Sequence, residues 1–513
     1  MAESPALIVI DMGIDTHQEP LVYMREDCDI CRAEGFNASS RVQLRVGDKR
    51  LIATLNIVDS SRLPPGHIGL SRIGINRLGV ANGDRVSVNH APVVMSFSAV
   101  RKKVYGHALS DHDIKSIITD ISEYKYSDVE IGSFLSVCAG RRLNLDEIVA
   151  LTQAMVSSGK RLSWPNSERV FDKHCIGGLP GNRTTPLVVA IVSAAGLTIP
   201  KTSSRAITSP AGTADTMETL TNVNLTVKDI QRVVTETGAC LAWGGAVNLS
   251  PADDLMIRIE RVLNLDGEGQ LVASVLSKKI AAGSTHVIID MPVGATAKVR
   301  SQADAEYLST LFTRVGDACG IHVQCVITDG SRPIGAGIGP VEEARDILAV
   351  LKREVGAPQD LRERSLLLAA HLLDFAQGGG LQENGLQKSD IQKALADATE
   401  ILDSGRAWRQ FERVINSQGG FKALPQASHQ NMQIAVADGV VQSIDNRKLA
   451  RLAKLAGAPH DPSAGLRLHA NVGSRVVVGD ALFTLYAESP GELDYALAYY
   501  HNNADIFVIG SGV

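Results

Sequence analysis

Between Phe171 and Pro186 the chain reads FDKHCIGGLPGNRTTP, which joins a cation, an imidazole, a thiol, several glycines and two adjacent hydroxyls. Lys173 supplies positive charge. Gly177 and Gly178 let backbone N–H groups come close to a ligand. Thr184 or Thr185 can cap a following helix, and Pro186 suits a first helical turn. Helix N-termini with open amides attract anions. Together these features describe a cradle for phosphate. A plain strand-to-helix turn with a surface lysine would account for the glycines, but not for Lys-His and a Thr pair at the same turn. The glycine spacing differs from G-x4-G-K-[ST], which disfavours a P-loop kinase or ATPase. A second donor-rich segment, KTSSRAITSPAGTADTME at residues 201–218, carries Ser203, Ser204, Arg205, Thr208, Ser209 and Thr213, with Gly212 for close backbone approach. GAGIGP at 335–340 lacks the third-glycine spacing and the acidic partner of a dinucleotide fingerprint, and is read as a turn.

These segments need elements to hold them. ERVFDKH reads as a strand, TPLVVAIVSAAG as a helix ending at Gly196, LTIPKTSS as a strand and AGTADTMETL as a helix start. THVIIDMPVG and IHVQCVITDG are further β-branched runs with helical patterns between them. Alternating β and α segments predict a mainly parallel sheet covered by helices. In such a sheet the turns after successive strands share one carboxyl edge, where ligands bind. Upstream, RVQLRVGDKRLIATLNIV and GVANGDRVSVNHAPVV alternate and break at Gly-Asp pairs, as in a small β-rich domain. SDHDIKSIITDISEYKY then opens a helical block, with Ser110 and Asp113 placed as a capping box. The C-terminal part returns to short strands. The expected fold is a multidomain α/β protein: a β-rich domain over 1–95, a helical domain over 104–168 and 250–281, a central mixed or parallel α/β domain over 169–249 and 282–430, and a C-terminal α+β domain over 431–513.

Composition narrows the function classes. Lys+Arg is 51 against Asp+Glu 56, so no basic excess points to nucleic acid or a membrane surface. The N-terminus lacks a basic, apolar signal pattern, and LVVAIVSAAGLTI is too short to span a bilayer. The 7 cysteines are odd in number and sparse, which suits reduced thiols in a cytoplasm. Cys28 and Cys31 form a C-x2-C pair with no second pair at zinc spacing, so they are read as ordinary thiols and no metal is expected.

KHCIGG…GNRTTP and SSRAITSPAGTADTME resemble the two signature loops of the thymidine phosphorylase family, in particular its long-chain branch that includes AMP phosphorylases. The likeness continues through WGGAVNLSPADD, through DGEGQLVASVLSKKIAAGSTHVIID and into the C-terminal β region. It implies that Lys173, Gly177, Gly178, Thr185, Ser203 and Thr213 contact phosphate or sugar-phosphate. It implies that Ser204, Arg205, Ala206, Ile207, Thr208 and Ser209 form a nucleotide-binding loop, flanked by Gly178 and Thr213. Ser274, Lys278 and Lys298 match further substrate contacts. Arg258 lies one residue out of register with the arginine that grips the pyrimidine in thymidine phosphorylases. Asp266 matches the AMP phosphorylases' proton donor to the leaving base, although its context equally suits a helix N-cap. His174 is the second catalytic candidate. Three departures stand out: Cys175 replaces a serine, Ser209-Pro210 replaces His-Thr, and the first loop has an extra residue around Pro180. The implied activity is phosphorolysis of thymidine to thymine and 2-deoxyribose 1-phosphate, with inorganic phosphate as co-substrate and no cofactor. The alternative is a nucleoside 5'-monophosphate substrate yielding ribose 1,5-bisphosphate, and a remoter one is a nucleotide-binding protein without turnover. The family further implies a homodimer through its helical domain.

Overall fold

Alternation at the start of the chain produces six short strands: β1 (Ala6–Asp11), β2 (Leu21–Arg25), β3 (Arg41–Val46), β4 (Lys49–Val58), β5 (His67–Leu70) and β6 (Arg85–His90). The computed structural model describes residues 6–16, 19–165, 167–206, 209–263, 265, 267–378 and 390–510. The six strands close into a barrel in the order β1-β5-β2-β4-β3-β6. Closure removes the free edges that would otherwise pair with other chains. Inward positions such as Val9, Val22, Leu44, Leu55, Ile68 and Val86 are fully buried. Helices α1 (Asp29–Glu34) and α2 (Arg72–Leu78) cross between strands.

Three helices follow: α3 (Phe97–Val104), α4 (Asp111–Ser122) and α5 (Asp128–Cys138). The expected capping box at Ser110 is present, with reciprocal bonds to Asp113. α4 buries Ile114, Ile117, Ile118 and Ile121, the i, i+3, i+4, i+7 stripe of its sequence. The barrel and these helices form one compact unit, which runs through Val137 and includes Leu255–Leu263.

The second unit comprises Cys138–Asp254 and the described residues from Leu265 onward. It begins with α6 (Leu145–Ser158), capped by Asn144 and Glu147. Then come β7 (Phe171–Cys175), α7 (Thr184–Ala194), β8 (Ile199–Ser203), α8 (Thr213–Glu218), α9 (Val227–Thr237) and β9 (Ala239–Trp243). α10 (Pro251–Leu263) has only its first turn in this unit and belongs to the first unit from Leu255 on, while α11 (Glu268–Ala281) leads into β10 (His286–Val293), α12 (Gln302–Ala318) and β11 (His322–Asp329). Every pairing among β7–β11 is parallel: β11-β10-β7 in one sheet and β8-β9 in another, with a parallel Val170–Thr198 bridge between them. β10 is buried on both faces, which explains its nearly unbroken apolar sequence. α7 is buried on all sides, so its apolar run is that of a core helix; among the described residues no helix is long and apolar enough to cross a membrane.

A short strand, β12 (Gly337–Ile338), precedes α13 (Pro340–Lys352), α14 (Gln359–Ala376), α15 (Ile391–Asp403) and α16 (Arg406–Ser417), which pack around α7. The turn expected at GAGIGP is therefore part strand. Gly337 and Ile338 pair with β15 (Gly465–Leu468), a partner more than a hundred residues away that local pattern cannot reveal. The remaining elements are β13 (His429–Ile434), β14 (Gly439–Ile444), α17 (Asn446–Leu455), β16 (Arg475–Val476), β17 (Ala481–Ala487), α18 (Pro490–His501) and β18 (Phe507–Gly510). They build two small sheets, β12-β15-β17-β13 and β16-β14-β18, around a separate apolar cluster.

Candidate active site

The carboxyl ends of β7, β8, β9 and β10 lie at one edge, and the loops leaving them carry most of the chemistry-bearing residues. In the first loop Gly177, Gly178 and Gly181 all have positive φ. A Cβ at Gly178 would fall 2.4 Å from the backbone N of Lys298, so glycine permits this loop to pack on the segment after β10. That contact brings Lys298 to the loop. α7 starts with Arg183 at its N-cap, so Thr184 and Thr185 occupy the first helical positions and do not cap. Neither was recognisable as non-capping from sequence, because Arg183 owes its place to distant partners: it bonds Glu343 at 2.6 Å, Thr213 Oγ1 at 2.9 Å and the Ala211 carbonyl at 2.7 Å. It thereby ties the first loop to the second.

Lys173 is completely buried beneath the loop. Its Nζ lies 3.4 Å from Asp290 and donates to Thr184 Oγ1 at 2.8 Å. Because Thr184 Oγ1 accepts there, its own O–H is directed elsewhere and can donate to an anion. Asp290 also accepts from Thr328 at 2.8 Å and from the Asn182 amide at 3.3 Å. The preceding residue, Asp172, binds Lys279 at 2.8 Å and Lys201 at 3.3 Å. Three buried lysines and two buried aspartates thus meet beneath this edge, with Asp290 serving Lys173 and Asp172 shared by Lys201 and Lys279.

His174 is half-buried. Burial, then the charges of Lys279, Lys201, Lys173 and Lys278, hold its imidazole well below the usual histidine range. At neutral pH it is a neutral hydrogen-bonding group. Cys175 accepts from the Asn182 amide at 3.4 Å, and burial followed by the charge of Asp290 pushes its thiol up to about 12. It is a protonated thiol, not a nucleophile.

In the second loop Ser203 Oγ is buried and makes no hydrogen bond among the described residues. A buried hydroxyl without a partner is costly, so it marks a place where a ligand oxygen would bind well. Asp215 shapes the loop by accepting from the backbone N–H of Ala206 at 2.7 Å and of Gly212 at 2.9 Å. Arg205 bonds Glu218 and Asp215 and lies over the Trp243 ring, 4.7 Å from its centroid. Ser204 accepts at its carbonyl from Ala214 N, and Ser209 Oγ donates to the Ala211 carbonyl. Ile207, Thr208 and Asp266 lie outside the described residues.

On α11, Leu271, Ser274 and Lys278 are partly exposed along a helix that is otherwise mostly buried after its first turn. This i, i+3, i+7 stripe places Ser274 and Lys278 on one face. Lys278 pairs with Asp253 at 2.5 Å. Arg258 belongs to the barrel-containing unit, where it makes a two-pronged bond to Asp128 in a cleft lined by Glu19, Arg41 and Tyr124. Sequence reading missed Asp172, Arg183, Lys201, Asp215, Lys279 and Asp290. A lysine inside the buried strand IPKTS was the available signal, since such a charge requires a partner.

Comparison with known proteins gives a consistent picture. Residues 98–159 match the helical bundle domain and residues 167–408 the a/b domain of a glycosyl transferase family, and residues 440–507 match the pyrimidine nucleoside phosphorylase C-terminal domain. Provisionally named thymidine phosphorylases are similar over nearly the whole chain. One from Ralstonia nicotianae is 54% identical, covering 95% of this chain and 94% of its own. One from Acidovorax sp. is 54% identical, covering 98% and 96%. One from Legionella pneumophila is 50% identical, covering 97% and 94%. Among solved structures, anthranilate phosphoribosyltransferase from Thermus thermophilus aligns with a TM-score of 0.51 at 19% identity, over 62% of this chain and 99% of that one. The likeness to that structure is one of fold.

Proposed function

Because this chain belongs to the thymidine phosphorylase family of pentosyltransferases, we propose that the edge described above cleaves thymidine with inorganic phosphate. The observation that carries this reading is the buried Ser203 hydroxyl, which has no hydrogen-bond partner among the described residues and lies at the strand edge where Lys173 orients Thr184, a place suited to an oxyanion. An oxygen of monohydrogen phosphate forms a bond to C1' as the C1'–N1 bond breaks, and the proton the phosphate gives up ends on the base, giving 2-deoxyribose 1-phosphate and neutral thymine. Thr184, Thr185, Ser203 and Thr213 position the nucleophile, and positioning supplies much of the rate in such a reaction. The dianion stabilises the positive charge developing on the sugar. Neutral His174 serves as a hydrogen-bond partner to the leaving pyrimidine. Ser274, Lys278 and Lys298 contact the nucleoside. No cofactor or metal is needed.

Arg205 bears on the choice between nucleoside and nucleoside 5'-monophosphate. Its charge is already met by Glu218 and Asp215, which leaves little for a 5'-phosphate and favours the nucleoside. The test is base release from thymidine, uridine, AMP, CMP and UMP with and without phosphate. Phosphate-dependent thymine release is expected, and release without phosphate would refute the phosphorylase reading. Release from AMP that Asp266→Asn abolishes would establish the monophosphate reading instead.

Two further features belong to the proposal. Val93, Met95, Tyr105, Val129 and Val262 of the barrel-containing unit are strongly exposed, and a second copy of the chain would cover them in a homodimer. A cytoplasmic setting suits seven cysteines that form no disulfide among the described residues.

A further inference from the structure

Asp172, Lys201 and Lys279 form a cluster that the proposed chemistry does not itself use. Each belongs to a different element: Asp172 to β7, Lys201 to β8 and Lys279 to α11. All three side chains are nearly inaccessible, at 1%, 5% and 4% exposure. Ser284 Oγ and the Lys173 N–H also donate to Asp172, so both of its oxygens are engaged.

Burying such ions is expensive, and a pair this deep often stabilises no more than an apolar equivalent would. Its value is therefore better sought in what it holds in place. The three elements it joins are those that carry the site. β7 runs directly into Lys173 and His174. β8 ends at Ser203 two residues after Lys201. Lys279 is adjacent to Lys278 on the helix that presents Ser274. One carboxylate thus ties the helix of the nucleoside contacts to the two strands of the phosphate loops.

We infer that Asp172 and Lys279 are positioning residues, which hold the Ser274–Lys278 face of α11 in register with the phosphate-binding loops through the shared Asp172–Lys201–Lys279 cluster. This rests on the phosphorylase reading of those loops and of α11. The electrostatics fit it. Burial alone would raise the Asp172 carboxyl, but Lys201 and Lys279 overcome burial and hold it below the usual carboxylate range. Burial pushes Lys201 down to about 7, opposed by Asp172 and reinforced by Lys279. Cys240 of β9, whose Sγ donates to the Lys201 carbonyl at 3.7 Å, completes the surroundings as a neutral thiol. The cluster is thus held together by one carboxylate shared between two lysines, and loss of the Lys279 arm should loosen the helix and leave the strands paired.

The experiment compares wild-type protein with Lys279→Met, Lys279→Arg and Asp172→Asn/Lys279→Met. Thirty-fold ranges of thymidine and phosphate are used for steady-state kinetics, with calorimetric titration of each ligand and thermal melting as a folding control. Lys279→Met is expected to raise the thymidine KM and Kd about tenfold, the size of a ~1.4 kcal/mol positioning loss, with the phosphate Kd changed less than threefold. Lys279→Arg should restore most of the thymidine affinity. The double variant should bind thymidine no worse than Lys279→Met, because the two groups act as one unit. Asp172→Asn on its own would leave two buried cations together and can fail to fold, so it is not relied on. A folded Lys279→Met protein with unchanged thymidine affinity overturns the inference, and so does one that loses both ligands equally. If the wild type binds thymidine and phosphate but releases no base, the phosphorylase reading fails while the binding arms still decide the positioning role.

Discussion

Lys173→Met should separate stability from turnover at the first loop. In the folded protein the Lys173 ammonium lies 3.4 Å from Asp290 and 2.8 Å from Thr184 Oγ1, and both ions are completely buried. Removing the cation leaves Asp290 with the Thr328 hydroxyl and the Asn182 amide, two neutral donors. Breaking one side of a buried pair costs about 3–5 kcal/mol, because the remaining charge stays desolvated. At about 2 °C per kcal/mol for a large cooperative unit, Tm should fall by roughly 6–10 °C. Adding Asp290→Asn removes the stranded charge, and the double variant should recover to within about 1–2 kcal/mol of wild type. Turnover should not recover with it. The Thr184 hydroxyl loses the contact that orients it. kcat/KM for phosphate should stay about 10²–10³ below wild type, the usual cost of removing one charge-stabilising donor. Thermal melting and steady-state phosphorolysis on the two variants give the answer. The reasoning is refuted if the single variant melts with the wild type, or if the double variant regains its phosphate KM together with its Tm.

Ser203→Ala should be at least as stable as wild type, since it removes a buried hydroxyl with no hydrogen-bond partner among the described residues, yet it should raise the phosphate KM about five- to tenfold; a lower Tm with unchanged KM would contradict the ligand-facing role. His174 should show no NMR titration midpoint near 6.5, because burial and four lysines favour its neutral form. An imidazole depressed on folding contributes stability above pH 6.5, and that contribution is lost as pH falls toward the folded value, so Tm should decline on acidification and Lys279→Met should soften the decline. Cys175, with a thiol pushed up to about 12, should resist iodoacetamide at pH 8 in the folded protein, as read by mass spectrometry of its peptide; rapid modification would mean that the loop opens.

Much of this protein could be read from its residues alone. Strand and helix patterns located β7, α7, β8, β10 and β11, most plainly β10, a parallel strand buried on both faces, and α7, an all-buried helix, because both leave long apolar runs. The Ser110 capping box and the Gly47 turn of the barrel were equally plain, since capping and hairpin chemistry act over a few residues. The Lys-His-glycine and Ser/Thr segments were legible as loops following β7 and β8, where the structure places them. Tertiary structure decided how the charges are shared. Lys173, which looks in sequence like an exposed cation, is buried against Asp290, and Arg183 takes the helix N-cap because Glu343 and the second loop hold it there. Arg205 is neutralised by Glu218 and Asp215, and Arg258 by Asp128. Which cation meets which carboxylate depends on strand order and helix placement across distances of ten to more than a hundred residues. A one-dimensional pattern names the charges, and only the folded chain pairs them.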